Sequence, residues 1–248
     1  MELLFFCLFV CVVVWVVVSS LFEKSLLRKG KKGESVISQL LFALPKDYLV
    51  FNDLYLEVDG RSVQIDHVVV SVYGIFVIET KNYSGWIFGA DSSEYWTQCL
   101  YGNKYKLRNP LKQNFSHLLA LRTLLNIPGK LFFPIVVFLN KAELKFQTRG
   151  CVINSRDLHN VIFEKRERLL TEAMVSEIAF RLDEADIKDE EVRHTHALKI
   201  QKVLEEKRQS IQNGICPKCG SALIIRKGAY GEFLGCENYP RCKFKMNL

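Results

Sequence analysis

A chain of 248 residues, 49% of them hydrophobic, is long enough to bury one large core or two small ones. The formal net charge of +7 is concentrated at the two ends, which suits a membrane surface at one and a polyanion at the other. Four of the eight cysteines cluster near the C-terminus at metal-ligand spacing, which excludes a disulfide framework and points to a reducing compartment.

From Leu3 to Phe22 no residue is charged. A helix of that length spans about 30 Å, the hydrocarbon thickness of a bilayer. The chain begins Met1-Glu2, without the basic start of a cleaved signal, and Lys24, Arg28, Lys29, Lys31 and Lys32 follow the apolar run. This pattern predicts a single-pass anchor over residues 1–23, in the lipid bilayer through residues 3–22. It places the N-terminus outside the inner (cytoplasmic) membrane and the bulk of the chain in the cytoplasm.

Gly33-Glu34 opens an amphipathic helix carrying Val36, Ile37, Leu40 and Leu41 before Pro45. Residues 48–58 read as a strand pair turning at Asn52-Asp53 and again at Asp59-Gly60. Two apolar strands follow, with Val68 to Val70 in one and Ile75 to Ile78 in the other, joined at Tyr73-Gly74 and buried on both faces. Three ionisable residues stand at their ends: Asp66, Glu79 and Lys81. Residues two apart on a strand share a face, so Glu79 and Lys81 project together. Charge buried there must be paired or must meet a metal, and two carboxylates with an ammonium suit a hard divalent cation and an activated water.

Trp86 to Gly89 and Tyr95 to Gln98 read as short strands of the same sheet. Lys104, Lys106, Arg108 and Lys112, interleaved with Tyr101 and Tyr105, read either as a solvated loop or as a patch for phosphates and bases. A helix from Asn109-Pro110 presents Phe115, Leu118, Leu119 and Leu125, and residues 131–139 form a buried strand in which Pro134 signals a bulge or edge. Residues 156–212 have no Pro or Gly and many charges, and read as two or three helices, partly packed and partly an arm.

The words Gly33-Glu34, QIDHVVVS, GIFVIETKNYSGWIFG, Trp96 and NPLKQN at 109–114 resemble the nuclease-related domain, NERD, of the PD-(D/E)XK nuclease superfamily. The resemblance implies a restriction-endonuclease-like α/β fold, a mixed sheet flanked by helices. It implies catalytic roles for Asp66, Glu79 and Lys81, with Mg or Mn on Asp66 and Glu79. It also implies that Gln113 faces the metal centre and that Glu34 is a further active-site acid. The alternative reading of Glu34 is a first-turn partner of the helix dipole.

Residues 216–245 hold Cys216, Cys219, Cys236 and Cys242. Four thiolates form a closed structural zinc site, and a segment this short depends on the metal to fold. The wording CPKCG…GEFLGCENYPRC is similar to the zinc finger of bacterial type I topoisomerases, which implies binding of single-stranded DNA. Arg226, Lys227 and Lys243 supply charge, and Tyr230, Phe233 and Tyr239 supply rings. The expectation is thus an anchor at 1–23, a nuclease-like domain at 24–155, a charged helical segment at 156–213 and a zinc finger at 214–248. The expected activity is metal-dependent hydrolysis of DNA, the alternative a non-catalytic DNA-tethering protein or membrane scaffold.

Overall fold

The computed structural model describes residues 28, 30–139, 141–228 and 231–247. The apolar segment at 3–22 and Tyr230 lie outside these residues. No helix among those described is long and apolar enough to cross a membrane. The chain divides into two compact units, one ending at Ile187 and the other beginning at Lys188.

The first unit is a mixed α/β structure. Its central sheet has five strands in the order β1-β2-β3-β7-β9: β1 Leu49–Val58, β2 Arg61–Ser71, β3 Gly74–Lys81, β7 Phe132–Phe138 and β9 Cys151–Asn154. The first three are antiparallel hairpin neighbours, whereas β3, β7 and β9 run parallel. A parallel pair needs a crossover. Here it is made by β4 Gly85–Phe88, β5 Tyr95–Leu100, β6 Asn103–Arg108 and helix α2 Pro110–Leu125.

The strands β2 and β3 are apolar without alternation because both faces of the sheet are covered. Val68, Val70, Ile75 and Val77 pack under α2 and under α4 (Glu172–Ala185). Val69, Phe76 and Ile78 pack under α1 (residues 30–42) and α3 (Leu158–Phe163). Part of the charged stretch therefore belongs to this core, through Val175, Ile178 and Leu182 of α4. Arg181 of that helix donates to the carbonyl oxygens of Leu124 and Leu125, satisfying the open end of α2.

Four details differ from the sequence reading. Asn52-Asp53 is no turn: β1 runs through it with Asp53 left-handed at φ 54, a conformation that Asp tolerates. The ladder skips the Asp53–Asp66 level and resumes at Leu54 opposite Ile65. The strands after Gly85 leave the central sheet and build a second one, β6-β5-β4-β8, with β8 at Ala142–Leu144. The buried side of α2 carries Asn114 and His117 with Leu118, Leu121 and Leu125, while Phe115 and Leu119 are exposed. Pro134 lies inside the central sheet, at the point where the β9 side of β7 is still unpaired, since β9 begins opposite Ile135.

The second unit holds α5 (Glu190–Gln212) and a three-stranded antiparallel sheet of β10 Leu223–Gly228, β11 Gly231–Cys236 and β12 Lys245–Asn247.

Candidate active site and metal centre

Asp66, near the middle of β2, and Glu79 with Lys81, at the carboxyl end of β3, are drawn together by the sheet. The Thr80 amide donates to Asp66 Oδ2 at 2.7 Å, which ties β2 to the end of β3 where their ladder has ended. Lys81 Nζ donates to Glu79 Oε1 at 2.5 Å and to Gln113 Oε1 at 3.0 Å. Gln113 sits in the first turn of α2, whose start is fixed by Asn109. Its Oδ1 accepts from the Leu111 amide, and its Nδ2 donates to the carbonyls of Ala90, Asp91 and Ser93.

Two residues of the site were not anticipated. His117 lies one turn beyond Gln113, on the same helix face, with Nδ1 3.3 Å from Glu79 Oε2. The two atoms are not aligned for a hydrogen bond, so both are buried without a partner. Asn114 donates to the carbonyls of Val77 and Ile135, clamping α2 onto β3 and β7. The helical offset from Gln113 could have marked His117, but a search for apolar periodicity passes over it.

Glu34 enters from α1. A Cβ on Gly33 would lie 2.8 Å from the Cβ of Asn82, so only glycine lets α1 approach the end of β3 this closely. Glu34 is half-buried; burial first, then the charges of Asp66 and Asp53, raises its pKa. Burial and the nearby Glu79 carboxylate push Asp66 to about 7, against the Thr80 amide and Lys81. Burial also raises Glu79, although Lys81 opposes it. Lys81 stays an ammonium: burial alone would lower its pKa, but the Glu79 carboxylate and then Asp66 outweigh that. His117 is neutral, its pKa lowered to about 4 by burial and then by Lys81 and Arg108. The site thus holds more carboxyl groups than its one ammonium can neutralise, an arrangement that a divalent cation would relieve.

Among the described residues, one group of three or more His, Cys, Asp or Glu ligand atoms lies within 4.8 Å of one another: Cys216, Cys219, Cys236 and Cys242. The acids Glu34, Asp66 and Glu79 are more widely spread. In the cysteine group, Cys216 and Cys242 sulfurs are 3.7 Å apart and those of Cys219 and Cys236 3.3 Å. Four sulfurs about 2.3 Å from a tetrahedral zinc would stand about 3.8 Å apart, so the cluster fits that ion. Cys216 and Cys219 sit on one tight turn and Cys236 and Cys242 on another. The Gly220 amide donates to the Cys216 carbonyl with Gly220 at φ 75, and the Cys242 amide donates to the Asn238 carbonyl.

The predicted basic residues separate in space. Lys104, Lys106 and Arg108 alternate along exposed β6, with Tyr105 on the opposite face and Tyr101 in the preceding turn. Lys112 lies on α2, paired with Glu94 at 2.9 Å. In the second unit Arg226 lies over the Tyr239 ring at 5.8 Å and donates to the Cys236 carbonyl. It shares a cavity of about 460 Å³ with Phe233, Tyr239 and Lys243, whereas Lys227 points to Glu232 at 4.0 Å.

Comparison with known proteins follows the same division. The family described as nuclease-related domain matches residues 29–139, and the topoisomerase DNA-binding C4 zinc finger matches residues 213–248. An uncharacterized protein of Bacillus anthracis is 32% identical over 205 residues, 79% of this chain and 95% of that one. DNA topoisomerase 1 of Methanocaldococcus jannaschii is 61% identical over 33 residues, 13% of this chain and 4% of its own length. The uncharacterized protein YrdD of Escherichia coli is 56% identical over 36 residues, 14% of this chain and 20% of that one. With one relative matched along nearly all its length and the first domain's match spanning Glu34, Asp66, Glu79, Lys81 and Gln113, this chain belongs to the nuclease-related domain family and ends in a four-cysteine zinc finger.

Proposed function

We propose that the protein is a metal-dependent nuclease that hydrolyses phosphodiesters in DNA. The zinc finger adds a second contact with nucleic acid, to single-stranded DNA. The observation that carries this reading is the contact of Lys81 Nζ with both Glu79 and Gln113, beside an Asp66 fixed by the Thr80 amide. The mixed sheet with helices on both faces supports a restriction-endonuclease-like core. Asp66 and Glu79 would hold Mg or Mn, helped by the Thr80 carbonyl; Glu79 Oε2, buried without a hydrogen bond, suits a ligand atom. When bound, the metal would lower the pKa of a water and offset charge on the phosphate.

The protein's own part is positioning and charge. Lys81, an ammonium, donates N–H toward the attacking water or a phosphate oxygen. Gln113 holds that ammonium in register. Glu34, with its raised pKa, is placed to exchange a proton at the rim. The water oxygen releases one proton to solvent as it bonds to phosphorus, the ester P–O bond breaks, and the leaving oxygen takes up one proton in return.

Residues 3–22, apolar throughout apart from Ser19 and Ser20, would anchor the enzyme in the cytoplasmic membrane with the catalytic unit inside the cell. Fractionation tests this, since deleting 3–22 should move the protein to the supernatant. Cleavage of a DNA panel by the full chain, with Mg or Mn added, tests the chemistry. Activity should vanish in Asp66→Ala and Lys81→Ala. Cleavage that survives both removes the mechanism, and metal-independent binding without cleavage leaves a tethering protein.

A further inference from the structure

The second sheet has two unlike faces. Ile87, Trp96 and Leu107 point inward and pack on Val136 and Phe138 of β7. The other face is built of cross-strand rows. Trp86 stands opposite Cys99 and Cys99 opposite Lys104; Phe88 opposite Thr97 and Thr97 opposite Lys106; Tyr95 opposite Arg108. Side chains opposite one another in a ladder share a face, so three rings and three cations lie together. Trp86 is 51% exposed, Phe88 39% and Tyr95 57%. A shallow cavity of about 810 Å³ runs along the rows from Trp86 and Phe88 to Lys104.

We infer that this face, formed by Trp86, Phe88, Tyr95, Lys104, Lys106 and Arg108, binds single-stranded nucleic acid and leads its backbone toward the Asp66–Lys81 centre. The inference rests on the nuclease reading and adds the strand class it acts on. Cations on alternate residues of β6, about 7 Å apart, can follow a phosphate backbone, while open rings stack on bases. Base faces are free for stacking only where bases are unpaired, so the rings select single strands over duplex. Among the described residues neither Lys104 nor Lys106 is ion-paired, so both charges are available. Glu143 stands beside Trp86 at the β8 edge, but Lys145 pairs with it at 2.8 Å and lies over the Trp86 ring.

Proximity to the acids favours a nucleic acid over a lipid surface. Trp86 follows Lys81 by five residues, a reach of at most about 17 Å. Gln98 braces the link by donating to the Ser84 carbonyl at 2.7 Å. At the other edge, Arg108 adjoins Asn109, the cap of the helix that carries Gln113, and its charge is felt at both Glu79 and His117.

The test uses the zinc-loaded full chain without added divalent metal, so that binding is read apart from cleavage. A fluorescein-labelled oligothymidine and a duplex of equal length are the probes. Trp86→Ala with Phe88→Ala should weaken single-strand binding about tenfold or more and leave the duplex nearly unchanged. Lys104→Gln with Lys106→Gln, at two exposed positions of β6, should lower the slope of log affinity against log salt by about 1.4. Photo-crosslinks from 5-iodouracil should map to the peptide containing Trp86 and Phe88. Unchanged affinity in both double variants, with crosslinks confined to residues 214–248, overturns the inference. So do crosslinks from a photoactivatable phosphatidylglycerol that map to the peptide containing Trp86 and Phe88 while both double variants keep their oligonucleotide affinity, which would make the face a membrane contact. Neither result touches the cleavage test of Asp66 and Lys81, and an inactive Asp66→Ala protein that still crosslinks through Trp86 leaves the inference standing.

Discussion

The acid–lysine centre and the cysteine centre gather polar side chains by opposite routes. The cysteines come from two short turns within 27 residues of chain, and local backbone geometry brings each pair together. The acids come from α1, β2 and β3 and are braced by α2, so they meet only after the whole sheet has formed. The first site makes its fold, because the ion supplies what a small core cannot. The second is made by its fold, and burying its carboxylates costs stability that the surrounding core must offset.

Stripping zinc, or Cys216→Ser, should unfold residues 214–248 outright, a loss on the order of 10 kcal/mol of metal-linked folding energy. Amide spectra should then collapse for that segment and persist for the first unit. If both units melt together, the cysteine site is not self-contained. Asp66 gives the opposite sign. Its carboxyl, raised from 3.8 to about 7, binds a proton more tightly in the folded chain than in the unfolded one. In the protein without added divalent metal, stability should therefore fall as pH rises from about 4 to 7 and stay reduced above. Asp66→Asn should abolish that loss and be more stable by about 2–4 kcal/mol at pH 8, with little difference at pH 4. Denaturant titrations at the two pH values decide it, and equal stabilities at pH 8 would show that the buried acid costs nothing.

Asn114→Ala leaves the carbonyls of Val77 and Ile135 without their side-chain donor and should cost about 2–3 kcal/mol in urea unfolding. Gly33→Ala forces α1 away from Asn82 and should cost about 1–2 kcal/mol while shifting Glu34. A neutral result for Gly33→Ala would mean that the approach of α1 is not tight.

The sequence reads well where structure is local and poorly where it is assembled. The spacing of Cys216 and Cys219 announced a metal turn, and Glu79-x-Lys81 announced a shared face, because each needs only two or three residues of backbone. Asn52-Asp53 misled because a left-handed residue and a turn have one composition; only the partner strand keeps β1 running through it. Phe115 and Leu119 looked like the buried stripe of α2, but the helix instead sets Asn114 against strand carbonyls, and polar anchors leave no apolar period. The rings expected beside Lys104 and Lys106 were Tyr101 and Tyr105, close in sequence. The structure supplies Trp86, Phe88 and Tyr95 from neighbouring strands, a proximity set by the β4–β5–β6 register.

The proposed divalent-cation site of Asp66 and Glu79 lies beside Lys81. Manganese binding to the zinc-loaded full chain, followed by electron paramagnetic resonance, measures it directly. One class of bound Mn²⁺ is expected in the native protein at pH 8, lost in Asp66→Asn and in Glu79→Gln and retained in Trp86→Ala. Manganese bound equally by all four proteins, or by none, would mean that Asp66 and Glu79 hold no divalent cation.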